Sequence, residues 1–253
     1  MIRYDLAGKT ALITGGASGI GLATATQIAR NGGTVAINFL SDDPRGPEAI
    51  ARLKAEGLKA IAAPGNVGDP ADAVRMVQAA VDALGRLDML ANNAGTPATS
   101  RKIEPHELDL ITEELWGTIL QVNLLGVFRC AKAAAPALKA AHGAIVNTAS
   151  IAGLHTPGSS LAYGASKAGV VNMTMNLARG LAPEVRVNAV APGAVDSTWM
   201  VEWTNEQRSQ SIECAALKRR CTTDDIAEVI VFLGFGAAMV TGQTIVVDGG
   251  LTL

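Results

Sequence analysis

The chain has 253 residues, 49% of them hydrophobic and 17% charged, with a net charge of −2, a sequence pI ≈ 5.9 and a mean hydropathy of +0.26. That is length and apolar content for one large buried core, and a near-neutral balance with no basic block excludes a nucleic-acid footprint. No charged segment leading into an apolar run opens the chain, and no uninterrupted apolar stretch reaches about 18 residues, so no membrane role is expected and the cytoplasm is the expected compartment. His106, His142 and His155, with Cys130, Cys214 and Cys221, show neither metal-ligand spacing nor an even disulfide framework; reduced thiols and no bound metal are expected.

Short β-branched or apolar runs follow one another along the chain: TALIT (10–14), TVAIN (34–38), KAIAA (59–63), DMLAN (88–92), GAIVNTAS (143–150), VRVNAV (185–190) and TIVVD (244–248). Longer helical patterns separate them, the rhythm of a parallel sheet with crossover helices. This predicts an α/β fold, a doubly wound parallel sheet of about seven strands of Rossmann type, in a single domain over 1–253. No linker, repeat or low-complexity segment interrupts it. The stretch from Gly95 to Trp116 contains TPATSRKIEPHELDL, whose Pro and charges read as a surface excursion. It either shapes a pocket mouth or is a tolerated insertion.

Directly after the first strand comes TGGASGIG (14–21), with Gly15, Gly19 and Gly21 where a strand must turn into a helix. Small residues there let backbone approach a phosphate, and a helix from Gly19 to about Asn31 would offer unpaired N–H groups and the positive end of its dipole to a pyrophosphate. Turns and helix packing also use glycine, but the place after strand one favours nucleotide binding. Further on, Tyr163 and Lys167 stand four residues apart in LAYGASKAGV, on one face of a predicted helix. A phenol of ordinary pKa about 10 needs roughly 4 kcal/mol of preferential stabilisation to titrate near 7. One positive charge about 4 Å away at an effective dielectric of about 20 supplies roughly that before desolvation takes some back. The pair is a candidate proton donor and acceptor near neutrality. Ser150 closes an apolar strand and Tyr163 follows at the start of the next helix, so the two can meet at the carboxyl edge of the sheet.

Taken together, TGGASGIG, NNAG (92–95), Asn123 in QVNLLG, Ser150 in NTAS, Tyr163 with Lys167, APG (191–193) and VDGG (247–250) resemble the short-chain dehydrogenase/reductase family nearly end to end. The resemblance implies hydride transfer between a nicotinamide cofactor and a carbonyl or secondary alcohol, with no metal. It casts Asn123, Ser150, Tyr163 and Lys167 as the catalytic tetrad: Ser150 bonds the substrate oxygen, Tyr163 moves the proton, Lys167 lowers the phenol pKa and binds nicotinamide ribose, and Asn123 holds a water that links Lys167 to solvent.

For the cofactor, the resemblance assigns Gly15, Ser18, Gly19, Ile20 and Gly21 to the pyrophosphate, Asn66 and Val67 to adenine, and Asn93 to the ribose region. Tyr163 and Lys167 contact the cofactor as well. Pro192, Gly193, Val195 and either Ser197 or Thr198 lie on its nicotinamide side. NAD-preferring members carry an acid at the end of strand two; here stands Phe39, followed by Leu40 where an Arg often marks NADP preference. Ser41 and Arg45 are candidate phosphate partners opposed by Asp42 and Asp43. NADP(H) is the expected cofactor, with NAD(H) kept open.

A short segment near 196–216 is expected to cover the substrate, with Trp199, Met200 and Trp203 as apolar walls or as core of a short helix. The chain reads RRCTTDDIAEV where the family often has Gly-Pro-Glu-Asp, and Thr223 or Asp224 is expected to cap the helix there. A homotetramer is implied. The overall pattern resembles the 3-oxoacyl-carrier-protein reductase branch, for which Arg101, Lys102, Arg219 and Arg220 would matter if they cluster near the site. The competing reading is a nucleotide-binding regulator that keeps the fold with little catalysis.

Overall fold

The computed structural model describes residues 4–154, 156–197 and 203–253. Strands β1 (Thr10–Ile13), β2 (Thr34–Phe39), β3 (Lys59–Pro64), β4 (Met89–Asn92), β5 (Ala144–Thr148) and β6 (Arg186–Pro192) form most of one sheet. A two-residue ladder of β7 (Val195–Asp196) and β8 (Cys221–Thr222) stands apart, and β9 (Thr244–Val247) completes the main sheet. The order is β3-β2-β1-β4-β5-β6-β9, all parallel. The seven expected strands are therefore present, each within two residues of its expected limits.

Strands buried on both faces need mostly apolar residues, and the central strands have them, with Asn38, Asn92, Asn147 and Asn188 as buried polar exceptions. Leu12, Leu90 and Ile145 point to one face, where they pack with Met76 and Leu138; Ile13, Ala91 and Val146 point to the other, with Ile28, Ile226 and Ile230. Helices α1 (Gly19–Arg30) and α8 (Thr223–Val231) cover the second face, while α3 (Pro70–Leu84) and α5 (Gly126–Ala141) cover the first. The remaining helices are α2 (Arg45–Ala55), α4 (Glu113–Leu120), α6 (Leu161–Leu181) and α7 (Asn205–Cys214).

Sequence order reverses at β1, which pairs with β2 on one side and β4 on the other. The connections leaving β1 and β4 run to opposite faces, which opens a crevice at the carboxyl ends of the strands. Between α4 and α5 the helix widens over Gln121–Leu125 into a π-helical turn, where the Gly126 N–H reaches the Gln121 carbonyl. Asn123 lies in that turn. The cap of α8 is Thr222, one residue earlier than expected, because its hydroxyl accepts from the Asp225 N–H while the Asp225 carboxylate accepts from the Thr222 N–H.

Candidate active site

The turn between β1 and α1 has the form a phosphate requires. Gly15 and Gly19 have φ of +60° and +54°, a region that side-chain-bearing residues adopt only with strain. A Cβ on Gly21 would lie 2.3 Å from the Gly15 carbonyl oxygen. Ser18 precedes α1 in extended conformation without bonding the first turn through its hydroxyl, so the leading N–H groups of the helix remain available to an anion. Ile20 packs its side chain on the core, and only its backbone faces that position.

One buried and one half-buried amide hold this turn in place. Asn38, in β2, accepts from the Gly15 N–H at 3.2 Å and donates to the carbonyls of Ala63 and Gly65 at 3.0 and 2.9 Å. Asn93 donates to the carbonyls of Thr14 and Gly15, and the Thr14 hydroxyl accepts from the N–H groups of Asn93 and Ala94. The Asn93 amide is thus engaged under the glycine turn, and its side-chain oxygen also accepts from the Thr148 hydroxyl at 3.4 Å.

On the adenosine side Phe39 turns inward, and Gly46 is glycine because a Cβ there would fall 2.2 Å from the Phe39 ring. Leu40 and Ser41 are exposed. Arg45 binds Asp43 through both carboxylate oxygens, and that hydrogen bonding holds the Asp43 carboxyl below its usual range. The Asn66 side-chain oxygen accepts from Gly68 N–H at 2.8 Å, so adenine would share it with the backbone. Val67 is buried, and Arg129 fixes the following turn by donating to the Gly68 carbonyl at 2.8 Å.

Ser160 sets the start of α6 by accepting from the Tyr163 N–H at 3.1 Å. This places the Tyr163 ring over Gly158 and in hydrogen-bonding contact with Ser150, whose hydroxyl also accepts from the Ala152 N–H. One helical turn on, the Lys167 ammonium sits 5.7 Å from the phenol ring centroid and donates to the Thr148 carbonyl at 2.7 Å. Gly95 lies against both Asn123 and Lys167: a Cβ there would be 3.4 Å from Asn123 Oδ1 and 3.6 Å from Lys167 Nζ. All of the expected tetrad is therefore brought to one place.

Two features of this cluster bear on how it would handle a proton. Burial pushes the Tyr163 phenol up to about 12 despite its bond to Ser150, and burial pushes Lys167 down to about 8. Desolvation of the phenol outweighs the attraction of the Lys167 ammonium, which is directed at the Thr148 carbonyl. The Asn123 amide is also fully engaged, accepting from the Thr96 N–H at 2.8 Å and donating to the Thr96 carbonyl and the Ser166 hydroxyl. A water assigned to Asn123 would have to be held by the backbone of the π-helical turn.

On the far side, Pro192 ends β6, and Gly193 packs so closely on Asp248 that a Cβ would lie 2.5 Å from the Asp248 Cβ. Arg220 donates to the Val195 carbonyl at 2.9 Å. Asp196 and Ser197 share a cleft of about 550 Å³ with Gly19, Thr223 and Asp224, so this segment faces the glycine turn. Of the expected covering residues, Thr198, Trp199 and Met200 lie outside the described residues, while Trp203 stacks on Arg220 with the guanidinium carbon 4.9 Å from the ring centroid. Arg101 pairs with Glu107, Lys102 with Glu104, Arg219 with Asp225 and Arg220 with Asp196. Thr14, Asn38 and Ser160 were not singled out as parts of this site by sequence reasoning, and Arg220 was named only among the basic residues that an acyl carrier would need. Asn38 alone carried a signal, as a polar residue inside an apolar strand.

A switch-point crevice, an uncapped helix start beside a glycine turn and a Ser–Tyr–Lys cluster at the same sheet edge define a dinucleotide-dependent oxidoreductase. A family model described as Enoyl-(Acyl carrier protein) reductase matches residues 15–252. A 3-oxoacyl-(acyl-carrier-protein) reductase of Staphylococcus aureus is 36% identical over 247 residues, covering 96% of this chain and 98% of the relative. Its counterpart in Thermotoga maritima is 36% identical over 253 residues, covering 98% and 99%. Among solved structures, a short-chain dehydrogenase from Burkholderia cenocepacia in complex with NADP superposes with a TM-score of 0.88 at 33% identity, covering 99% of this chain and 100% of that one. A 3-oxoacyl-(acyl-carrier protein) reductase from Brucella melitensis with bound NAD gives 0.87 at 30% identity, covering 99% and 94%. The chain belongs to the short-chain dehydrogenase/reductase family, the NAD(P)-dependent oxidoreductases that act on alcohols and carbonyls.

Proposed function

We propose that this protein interconverts a ketone and a secondary alcohol with Tyr163 as general acid and base. The observation that carries the reading is the Ser150–Tyr163 hydrogen bond with Lys167 one helical turn away. The residues at the glycine turn suit a nicotinamide dinucleotide, whose part in the chemistry is to give or take hydride at the carbonyl carbon. Ser150 holds the substrate oxygen beside the phenol. In reduction Tyr163 gives that oxygen its proton, and in oxidation it takes the proton back. Lys167 fixes the nicotinamide-side ribose and, through its charge, favours the phenolate left after donation.

NADP(H) is the proposed preference, supported by the lack of an acid at Phe39 and Leu40. The Asp43 carboxylate neutralises Arg45, so the expected preference is small. The substrate is a small carbonyl compound, and 3-oxoacyl thioesters are the first class to test because the curated relatives are named for them. The ion-paired state of Arg101, Lys102, Arg219 and Arg220 favours a free substrate over one carried on an acidic protein. Exposed Ile245 and Val246 on the edge strand β9, and exposed Leu125 and Phe128 where α5 begins, support association into a homotetramer. The unpaired Cys130, Cys214 and Cys221 suit a reducing cytoplasm.

The test is oxidation of NADPH and NADH, followed at the nicotinamide band, against ketones, acetoacetyl thioesters and sugars, with Tyr163→Phe alongside. Removing the phenol hydroxyl should cost about 10²-fold or more in kcat with cofactor affinity kept within about threefold. Near wild-type kcat in Tyr163→Phe would refute the assignment.

A further inference from the structure

Arg220 is a buried cation outside the tetrad, with a side chain only 7% exposed. Its Nη1 pairs with the Asp196 carboxylate at 2.7 Å, its Nη2 donates to the Val195 carbonyl at 2.9 Å, and its plane lies against Trp203. Its Nε is buried without a hydrogen-bond partner. Burying a guanidinium with one N–H unsatisfied is costly, and a residue serving only to pack β7 against β8 could be apolar at less cost.

The other half of the pair explains the charge. Asp196 is 58% exposed and lines a cleft that Gly19 also lines, with Arg30, Arg52 and Glu56 along its length at the C-terminal ends of α1 and α2. Asp224 lines it too, with its carboxylate accepting from Gln27 at 3.2 Å. A dinucleotide bound at the glycine turn brings a diphosphate to the border of a cleft that Gly19 shares with the Asp196 carboxylate, and an uncompensated like charge there opposes binding. We propose that Arg220 is a positioning and charge-compensating residue for the cofactor: it neutralises Asp196 and fixes the Val195–Asp196 backbone, so that the segment bordering the glycine turn accepts a diphosphate.

This inference rests on the reading of the turn at 14–21 as a nicotinamide-dinucleotide site. It requires that the harm done by losing Arg220 come mainly from Asp196, which distinguishes it from a packing role. The experiment measures Kd for NADPH and NADH by fluorescence, with steady-state KM and kcat, in wild type, Arg220→Met, Asp196→Asn and the double variant. Arg220→Met should weaken both cofactors roughly five- to tenfold, the range expected for one partly screened charge, with kcat changed less than KM. The double variant should recover most of that loss. Asp196→Asn alone should bind cofactor as tightly as wild type or more tightly, a result that remains readable if Arg220→Met does not fold.

Unchanged affinity in Arg220→Met, a loss the second substitution does not repair, or weakened binding in Asp196→Asn would each overturn the proposal. Wild-type protein that bound neither cofactor would instead remove the reading beneath it, and that outcome is visible before any variant is made.

Discussion

Asn38→Ala tests whether the glycine turn is held by one buried amide. Asn38 is 2% exposed and bonds the Gly15 N–H and the carbonyls of Ala63 and Gly65. Truncation leaves those groups without this partner, and at about 1 kcal/mol for each lost bond the cost is about 3 kcal/mol. For a chain of this length about 1 kcal/mol corresponds to about 2 °C in Tm, so thermal unfolding should shift down by about 6 °C. The cofactor KM should rise more than kcat falls, because the loosened part is the phosphate turn. Asn38→Asp sharpens the test: the carboxylate can still accept from Gly15 but faces two carbonyls it cannot donate to, so its loss should exceed that of alanine. A fall in Tm of under about 2 °C for alanine, or an aspartate variant as stable as wild type, would refute the argument.

Other outcomes follow from the same geometry. Gly21→Ala drives a Cβ into the Gly15 carbonyl, and titration with NADPH should show at least about tenfold weaker binding with about 1–3 kcal/mol lost in urea unfolding. Lys167, held near 8 against its usual 10.5, binds fewer protons folded than unfolded between those values. Its destabilising effect therefore grows as pH falls from about 10.5 and is complete below about 8, reaching about 3 kcal/mol. Lys167→Met should accordingly unfold at higher temperature than wild type at pH 7 while losing turnover, with the advantage gone above about pH 10.5. With the phenol pushed up to about 12, carbonyl reduction, which needs the protonated tyrosine, should be flat in kcat across neutral pH. Alcohol oxidation, which needs the phenolate, should rise with pH, and a reduction rate that falls from pH 6 to 8 would contradict this.

The parallel sheet was legible because strands such as TALIT and GAIVNTAS are buried on both faces and so are apolar at nearly every position. The Tyr163–Lys167 pair was legible because helical spacing alone puts both residues on one face. What stayed hidden depends on contacts between distant segments. Nothing near Asn93 in the chain indicates that its amide is engaged by Thr14 and Gly15, and nothing near Arg220 announces Asp196 and Trp203. The upward push on the phenol was hidden for a related reason. Spacing gives the distance of a charge, whereas the desolvation that dominates here comes from walls assembled across the whole fold. The cap of α8 was misplaced by one residue because Thr222, Thr223 and Asp224 are all competent caps by type, and only the reciprocal bonds with Asp225 select Thr222.

The Ser160 cap fixes where the Tyr163 phenol can be. Because the capping hydroxyl grips the amide of Tyr163 itself, and Ser166, Lys167 and Val170 on the following turns are buried, the proposed proton donor is mounted on a helix end with little freedom to follow its target. Ketones of different shape must then be accommodated by whatever surrounds them, with the phenol as the fixed point of the site. Changes of substrate range should accumulate in the connection after β7 and in α7, while the cap, the tyrosine and the lysine remain a single mechanical unit.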